Sequence, residues 1–464
     1  MDMISRTFEP PAPIPRKQEL SKLNVLRTVL RNPLELWSEQ SYTLPWIETR
    51  FVNQQTLIVN DPGLIRYILV ENVANYEMSE VRRLVLRPIL RDGLLTAEGP
   101  TWKRTRKAVA PVFTPRHAKG FADKMLSTCE HYARRYTRAA DGGMSVDIAT
   151  DMTELTYDIL AETLFSGQIV AETEAFTKDV ETLLGSMGRV DPMDMLLAPS
   201  WVPRVTRWGS GKLMRRFGTV VAATMEERRR QMRAHPETVP QDFLTLLLER
   251  EGPDGLHADE IADNILTFIG AGHETTARAL GWTFYCIAHV PEFRALMEAE
   301  IDRVVADGTD PVDWLDNMPH VRAAFEESMR LYPPAPSINR AAIEADSWTS
   351  PTGERVDIAK GVSVLVMPWT LHRHTLYWEN PRAFVPQRFL PGHRESLHRF
   401  QYLPFGAGPR VCIGATFALQ EAVIALGVLM KDYRFDVTPE TRPWPVQRLT
   451  TQPQGGIPMR VTRR

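Results

Sequence analysis

A single cysteine, Cys412, lies in a glycine-rich loop, and Arg410 precedes it by two residues. A helical pattern of apolar residues follows at once, from about residue 415 to residue 430. Backbone N–H groups at a helix N-terminus stabilise negative charge, so a cysteine placed there is readily kept as a thiolate. A thiolate in such a loop can ligate a haem iron, and this ligation favours cleavage of the O–O bond. The surrounding glycines and arginine argue against the alternative, a buried cysteine that only fills space.

A second set of unusual residues interrupts a long helical pattern between about residues 259 and 289. A glycine such as Gly272 costs a helix about 1 kcal/mol relative to alanine, and Thr275 can bond back to a carbonyl group one turn earlier. Together with Glu274, these residues predict a local opening of the helical hydrogen bonds and a polar notch. Dioxygen and a proton-carrying water molecule could occupy such a notch. The alternative is a helix kink in which the threonine hydroxyl is simply satisfied.

Residues 405–414 have the spacing Phe-x-x-Gly-x-Arg-x-Cys-x-Gly, which resembles the haem-binding signature of the cytochrome P-450 family. Residues 271–276 resemble the oxygen-activation motif of the same family, small-Gly-x-acid-Thr. Residues 327–330 and 386–389 resemble its Glu-x-x-Arg pair and its Pro-Glu-Arg-Phe element, although Gln387 replaces the glutamate there. The matches occur in the family's order and span most of the chain.

The resemblance implies the cytochrome P-450 fold, mainly α with a small β region, as a single domain over residues 1–464. Within this domain, residues 1–20 are expected to form an extended N-terminal arm. The implied cofactor is haem b, iron protoporphyrin IX, with Cys412 as the metal ligand. The resemblance also implies that Thr275 orients dioxygen and that Glu274 helps to deliver protons.

The same resemblance assigns further residues to three groups. Those expected around the haem, the first four of them at its propionates, are Trp102, Arg106, Arg340, Arg410, Phe405, Gly406, Gly414 and Ala271. A buried structural triad is expected from Glu327, Arg330 and Arg388. The expected substrate contacts are Leu86, Phe268, Ala335 and Ile338, with further contacts in the region of residues 183–202.

The implied activity is that of a monooxygenase, which inserts one oxygen atom from O2 into a substrate while the other leaves as water. Apolar residues prevail in most of the predicted substrate segments, and they favour an apolar small molecule such as a fatty acid or a terpenoid. Two alternatives remain: a peroxide-driven peroxygenase of the same fold, and a non-catalytic haem-binding sensor. Peroxygenases of this family usually lack the acid–threonine pair, which Glu274 and Thr275 supply here.

Composition limits the class of protein and its compartment. The net charge of −2 argues against broad nucleic-acid binding. The cysteines Cys129, Cys286 and Cys412 are odd in number and far apart, so no disulfide framework is expected and a reducing cytoplasm fits. Residues 1–19 are polar and contain prolines, and they include no apolar run long enough to span a bilayer. We therefore expect a soluble cytoplasmic protein without a transmembrane anchor.

The electron donor is expected to be a separate protein. Only about fifty residues follow Cys412, too few for a flavin domain, and a second cysteine cluster for an iron–sulfur centre is lacking. The resemblance then implies a ferredoxin or flavodoxin, reduced by an NAD(P)H-dependent reductase. A basic cluster that suits an acidic donor comprises Lys103, Arg104, Arg106 and Lys107. An ordinary solvated helix face is the alternative interpretation of this cluster.

Overall fold

Helices predominate over strands in the computed structural model. It describes residues 8–18, 20–51, 54–169, 191–195, 198, 201–202, 204, 210–253 and 255–464. The prediction of a mainly α chain with a small β region is thus confirmed. The helices are α1 (Lys22–Arg31), α2 (Pro62–Arg66), α3 (Glu80–Leu90), α4 (Gly99–Val109), α5 (Pro115–Gly120), α6 (Ala122–Asp141), α7 (Ile148–Phe165), α8 (Pro192–Met195), α9 (Ser210–Ala234), α10 (Phe243–Leu248), α11 (Ala258–Ile287), α12 (Pro291–Ala306), α13 (Trp314–Asn317), α14 (Pro319–Leu331), α15 (Pro368–Leu371) and α16 (Ala415–Asp432).

The strands form one larger sheet and several small ones. A five-stranded sheet has the order β1-β2-β8-β5-β3, in which β2 and β8 run parallel. Three strands pair as β4-β12-β9, and β6-β7 and β10-β11 form two-stranded sheets. The strands are β1 (Trp46–Phe51), β2 (Gln54–Val59), β3 (Tyr76–Glu77), β4 (Ser145–Asp147), β5 (Ile338–Ala342), β6 (Asp346–Thr349), β7 (Arg355–Ile358), β8 (Ser363–Val366), β9 (Tyr433–Val437), β10 (Trp444–Gln447), β11 (Thr451–Gln454) and β12 (Pro458–Arg463).

The switch from strand to helix after β2 has a local cause. The side chain of Asp61 accepts a hydrogen bond from the N–H of Leu64 at 2.8 Å, which caps the first turn of α2. Pro62 occupies the first helical position, where its missing N–H costs nothing and its fixed φ suits the helix.

The long helix α11 lies at the centre of the molecule and packs against α7, α14 and α16. Its N-terminus is held by Glu260, whose carboxylate accepts the N–H of His257 at 2.9 Å. Near its other end, the buried Trp282 ring stacks on Tyr332 with centroids 3.7 Å apart. The stacked pair fixes α11 relative to the end of α14.

The described part of the N-terminal arm lies against the helical body. The Phe8 ring stacks on His289 with centroids 4.1 Å apart, and the Pro11 carbonyl accepts the Tyr332 hydroxyl at 2.8 Å. Residues 1–7 and 19 of the predicted arm lie outside the described residues. Within the described ranges, no helix combines the length and the apolar character that crossing a bilayer requires.

Candidate active site

Two glycines shape the loop before α16. Gly406 and Gly408 have φ angles of 75° and 71°, a region that residues with a Cβ atom rarely adopt. A Cβ atom on residue 408 would also lie only 1.9 Å from the carbonyl oxygen of Leu69. The loop folds back so that the N–H of Cys412 donates to the Phe405 carbonyl at 2.8 Å. The glycines of the motif therefore permit the turn that presents the thiol just before α16.

The Cys412 thiol lies open to a cavity inside the protein. Burial raises the pKa of Cys412, whereas the Gly414 N–H and the Arg106 guanidinium lower it, and the net shift is upward. Loss of hydration opposes the charge on the sulfur, so in the protein alone these two groups do not outweigh burial. A metal cation would supply the missing compensation, since coordination deprotonates a thiol outright.

The cavity has a volume of ≈ 350 Å³ and largely apolar walls, as is typical of small-molecule sites. One long side is formed by α11, and Thr275 faces it. Most of the residues predicted for the haem and the substrate line this single space: Trp102, Arg106, Phe268, Ala271, Ala335, Ile338, Arg340, Phe405, Gly406, Arg410, Cys412 and Gly414. The tertiary structure thus brings together side chains that the sequence distributes over more than three hundred positions.

Leu86 does not line the cavity, contrary to its prediction. Its side chain is 2% exposed and packs in the main hydrophobic core, the usual location of a leucine. The residue of α3 that lines the cavity is Arg82, one turn earlier. Of the predicted substrate region, residues 183–190, 196–197 and 199–200 lie outside the described residues.

Arginine side chains gather at one end of the cavity. Burial and the neighbouring guanidiniums of Arg410 and Arg82 lower the pKa of Arg340 to about 10, while Glu98 raises it. Among the described residues, Glu98 is the one carboxylate that forms an ion pair within this group, and its partner is Arg410. These arginines repel one another at close range. An anion bound among them would offset the repulsion and would be strongly stabilised.

Helix α4 adds two more donors to the same end. Trp102 and Arg106 are four residues apart and both line the cavity. The guanidinium carbon of Arg410 lies 4.6 Å from the centre of the Trp102 ring, a cation–π contact that orients both groups. Burial lowers the pKa of Arg106, whereas the nearby Cys412 raises it. In the described part of the chain, Arg106 forms no ion pair.

Helix α11 runs without a break past the oxygen motif, so the predicted local opening of its hydrogen bonds is not found. The Thr275 hydroxyl donates to the Ala271 carbonyl one turn earlier at 2.9 Å, as the sequence predicted. Small side chains make the notch instead, because Ala271 and Gly272 line the cavity beside Thr275. The helix therefore keeps its backbone bonds and still leaves room next to a hydroxyl group.

Glu274 turns away from the cavity. Its Oε1 accepts hydrogen bonds from Thr450 Oγ1 and Gln452 Nε2, each at 2.7 Å, and Arg278 Nη2 lies 3.7 Å from the same oxygen. The residue is 5% exposed. Thr450 lines the cavity, so its hydroxyl is the link between the buried carboxylate and the open space.

The structure brings Glu327, Arg330 and Arg388 together. Glu327 and Arg330 are both 0% exposed, and two parallel hydrogen bonds of 2.7 Å join their side chains. Arg388 Nε lies 3.6 Å from Glu327 Oε1. Arg330 also donates to the carbonyls of His372, Pro381 and Ala383. This cluster ties α14 to the long irregular segment that leads to the cysteine loop.

Sequence reasoning misses Arg82, Thr450 and Glu421. Glu421, on α16, is 2% exposed. Burial raises its pKa to about 8, although a hydrogen bond with Thr276 lowers it. An acid on the otherwise apolar face of α16 is the signal that could have revealed it, since carboxylates are rarely buried. No local signal marks Arg82 or Thr450, because their roles depend on contacts with distant segments.

The raised pKa of Glu421 predicts a specific dependence of stability on pH. The folded protein keeps this proton up to pH of about 8, whereas the unfolded chain loses it near the ordinary value of about 4.3. The contribution of Glu421 to the free energy of unfolding therefore falls as pH rises between these values, by about 1.4 kcal/mol per pH unit. Glu421→Gln, which mimics the protonated form, should lack this loss, so its advantage over the native protein should grow with pH.

Thermal unfolding of the haem-loaded native and Glu421→Gln proteins, at several pH values across this window, measures the difference. Glu130→Gln, on the exposed face of α6, controls for the loss of one carboxyl group. If the difference in melting temperature between the native protein and Glu421→Gln does not change with pH, the raised pKa of Glu421 is contradicted.

A protein-family model described as Cytochrome P450 matches residues 24–459. The chain belongs to the cytochrome P450 family. This P450 is 28% identical over 424 residues to Protein LUTEIN DEFICIENT 5, chloroplastic, of Arabidopsis thaliana, covering 88% of this chain and 70% of that protein. It is 27% identical over 436 residues to Cyclooctatin synthase of Streptomyces melanosporofaciens, covering 92% and 91%.

Solved structures are similar to this P450 over its whole length. The cytochrome P450DA heme domain superposes with a TM-score of 0.79 at 24% identity, covering 99% of both chains. A cytochrome P450 named CYP102L1 gives a TM-score of 0.77 at 22% identity, covering 98% of this chain and 100% of the other. At these identities the likeness establishes the fold.

As a member of this family, the P450 binds haem b and is a monooxygenase. The cavity fits this cofactor chemically. Cys412 supplies the one thiol among the described lining residues, and the arginines Arg106 and Arg340, which form no ion pair in the described part of the chain, suit the carboxylates of the haem. The apolar walls suit the macrocycle.

Proposed function

We propose that this P450 inserts one oxygen atom from O2 into an apolar small molecule of the fatty-acid or terpenoid type, and releases the other as water. The observation that carries the proposal is that the Cys412 thiol and the Thr275 hydroxyl line one largely apolar cavity. The phenyl and alkyl side chains of Phe113, Leu160 and Phe268 line the same space, so an apolar substrate would be desolvated beside the reacting groups.

The residue roles are part of the proposal, and the shared cavity supports them. Cys412 would ligate the iron, and haem b when bound supplies the electron transfer and oxygen chemistry. Trp102, Arg106, Arg340 and Arg410 would hold the haem propionates, while Phe405, Gly406, Gly414 and Ala271 would contact the macrocycle. The substrate wall includes Phe268, Ala335 and Ile338. Glu327, Arg330 and Arg388 are structural.

Thr275 is suited to hold a proton donor in place. Its hydroxyl hydrogen is used in the bond to the Ala271 carbonyl, at 2.9 Å. Its oxygen keeps lone pairs that face the cavity and can accept a hydrogen bond. A protonated group or a water molecule beside Thr275 is therefore held at the point where oxygen chemistry needs protons.

Glu274 supplies protons through Thr450 in this proposal. The Thr450 hydroxyl donates to Glu274 Oε1 at 2.7 Å and can at the same time accept a hydrogen bond from water in the cavity. A proton taken up by the carboxylate can thus pass outward by reversal of these bonds. This route explains how Glu274 can deliver protons to the cavity although its carboxylate does not line the cavity.

Removal of the Thr275 hydroxyl tests the proposed chemistry. In the Thr275→Ala variant we expect the amount of hydroxylated product per electron consumed to fall by about tenfold or more, because acid–base assistance is lost. Spectral binding of substrate should hardly change, and Thr275→Ser should restore product. NADPH or NADH consumption, peroxide release and product are measured together with a reconstituted reductase system.

Thr283→Ala is the matched control, because the Thr283 hydroxyl bonds back within α11 in the same way, to the Ala279 carbonyl at 2.7 Å, and Thr283 does not line the cavity. Equal coupling in Thr275→Ala and native protein would overturn the role of Thr275. If the haem-loaded protein binds ligands but forms no product with any apolar compound, the alternative of a non-catalytic haem-binding sensor is favoured.

We propose that electrons come from a separate acidic ferredoxin or flavodoxin, reduced by an NAD(P)H-dependent reductase, which docks near α4. Lys103 and Lys107 are exposed, four residues apart, on the helix that carries Trp102 and Arg106. Arg104 is bonded to Glu260 and Arg106 faces the cavity. The basic surface is therefore smaller than the sequence predicted, because Arg104 is paired with a carboxylate and Arg106 lines the cavity.

Reversal of both lysines, Lys103→Glu with Lys107→Glu, should slow reduction by an acidic donor about tenfold at low ionic strength, through loss of steering. The difference should shrink as added salt screens the charges. Stopped-flow reduction at several salt concentrations measures it, with the exposed Lys212→Glu on α9 as control. Identical rates and salt dependence in the double variant and the native protein would rule out this docking surface.

We propose that residues 1–464 form one domain in the cytoplasm. The family match over residues 24–459 leaves little of the chain outside it, and the cysteines Cys129 and Cys286 are buried and free, as a reducing compartment allows. Cell fractionation tests the location, and recovery of the native protein in the membrane fraction would contradict it.

A further inference from the structure

We propose that Arg82 binds the carboxylate of an acidic apolar substrate inside the cavity that Cys412 faces. A fatty acid is the simplest molecule of this class. The inference rests on the proposed function, since it assumes that the same cavity holds haem and an apolar substrate. It goes further by naming the polar group of the substrate and the residue that recognises it.

Arg82 is a cation of the cavity wall that has no partner among the described residues. It lies on α3, is half-buried, and lines the cavity. Its guanidinium forms no hydrogen bond or ion pair with any described residue, and burial lowers its pKa. The adjacent Arg83 is different, because it donates to the Met78 carbonyl at 3.2 Å and lies 3.3 Å from Glu77. A guanidinium left without an acceptor in such a place is costly unless a ligand supplies one.

Arg82 belongs to the group of arginines at this end of the cavity. The Arg106 guanidinium lowers the pKa of Cys412, and Arg82 is not among the groups that shift it. Arg82 and Arg410 both lower the pKa of Arg340. Arg82 is therefore electrostatically coupled to Arg340 and not to the thiol.

A count of charges leaves one guanidinium for a third anion. Arg410 already pairs with Glu98, whereas Arg82, Arg106 and Arg340 form no ion pair with described residues. Haem b carries two carboxylates, and the proposed function assigns Arg106, Arg340 and Arg410 to them. Arg82 is then the arginine of the cavity wall without an assigned anion. An arginine fork binds a carboxylate through both oxygens, and partial burial strengthens that contact.

The wall beside Arg82 suits the rest of such a substrate. Leu94 and Leu95 follow α3 and line the cavity, and Phe113 and Phe268 continue its apolar surface. A ligand whose carboxylate meets Arg82 can thus lay its hydrocarbon chain along these side chains. Placing the charged group at one fixed point would also fix which carbon atoms approach the reacting groups.

The test compares an acid with an uncharged analogue of the same chain length. Dodecanoic and hexadecanoic acids and the matching alcohols are titrated into haem-loaded protein, and dissociation constants are taken from the spin-state shift of the Soret band and from equilibrium dialysis. The native protein should bind at least one acid about tenfold or more tightly than its alcohol. Arg82→Gln should lose this preference by weakening the acid alone, and Arg82→Lys should keep part of it.

Arg83→Gln is the matched control and should leave both affinities unchanged. Haem content and the carbon monoxide spectrum of every variant separate this inference from the proposed function. A normal spectrum with no preference for acids in the native protein, or a preference that survives in Arg82→Gln, would overturn the role of Arg82. A variant that loses haem, or weakens acid and alcohol equally, would make Arg82 a haem-propionate or packing residue instead. Failure of the native protein to give a haem–thiolate spectrum would remove the proposed function itself.

Discussion

The Cys412→Ser variant should lose the strongly red-shifted Soret band that dithionite-reduced haem–thiolate proteins give with carbon monoxide. Serine keeps the loop, because the hydrogen bond from residue 412 to the Phe405 carbonyl uses only backbone atoms. It removes the sulfur, and a serine hydroxyl cannot donate electron density to iron as a thiolate does. Monooxygenase activity should fall to background in the same variant. The measurement is a difference spectrum of freshly purified, haem-loaded protein.

Cys129→Ser and Cys286→Ser serve as controls, since both thiols are buried and neither lines the cavity. They should retain the red-shifted band. If native protein loaded with haem lacks this band, or if Cys412→Ser retains it, Cys412 is not the iron ligand. Either result would also remove the basis for the monooxygenase roles given to Thr275 and Glu274.

The Glu327→Gln variant should lower the free energy of unfolding by about 3–5 kcal/mol, the usual cost of removing one partner of a buried ion pair. The Glu327 carboxylate receives two hydrogen bonds from Arg330 and one from the Val385 N–H at 2.8 Å. Arg330 is 0% exposed, so its charge would be left without a counter-charge in a region that water does not reach. Thermal and denaturant unfolding of the haem-loaded protein, with haem retention, measures the loss.

Arg388→Gln should lower the free energy of unfolding by clearly less than Glu327→Gln does. Its Nε lies 3.6 Å from Glu327, its side chain is 15% exposed, and its removal leaves the Glu327–Arg330 pair intact. The comparison therefore separates the buried pair from the third member of the cluster. Equal losses in the two variants, or a loss below about 1 kcal/mol in Glu327→Gln, would contradict a structural pair of this kind.

Local spacing in the sequence was sufficient to predict several parts of the site. The loop around Cys412 was predictable because its glycines all lie in one short segment, where they permit a tight turn. The contact between Thr275 and the Ala271 carbonyl was predictable because residues four apart in a helix are neighbours. The same rule placed Trp102 and Arg106 on one side of α4. In each case the atoms involved belong to a single element, whose geometry the backbone determines.

Contacts between elements needed the tertiary structure. Leu86 and Arg82 are one turn apart on α3, yet only Arg82 lines the cavity, because the packing around α3 decides which side chain is covered. Glu274 turns toward Thr450 and Gln452, which are remote in sequence, and no pattern within α11 reveals that partner.

The sequence alone thus determined the family, the mainly helical fold and the identity of the cysteine loop and oxygen motif. The tertiary structure decided how much charge surrounds the cavity. Arg82, Arg106, Arg340 and Arg410 come from four separate segments, and only their convergence leaves cations without partners among the described residues. The burial of Glu421 and the net upward pKa of the Cys412 thiol have the same origin. They depend on desolvation, which is a property of the packed interior and not of the order of residues.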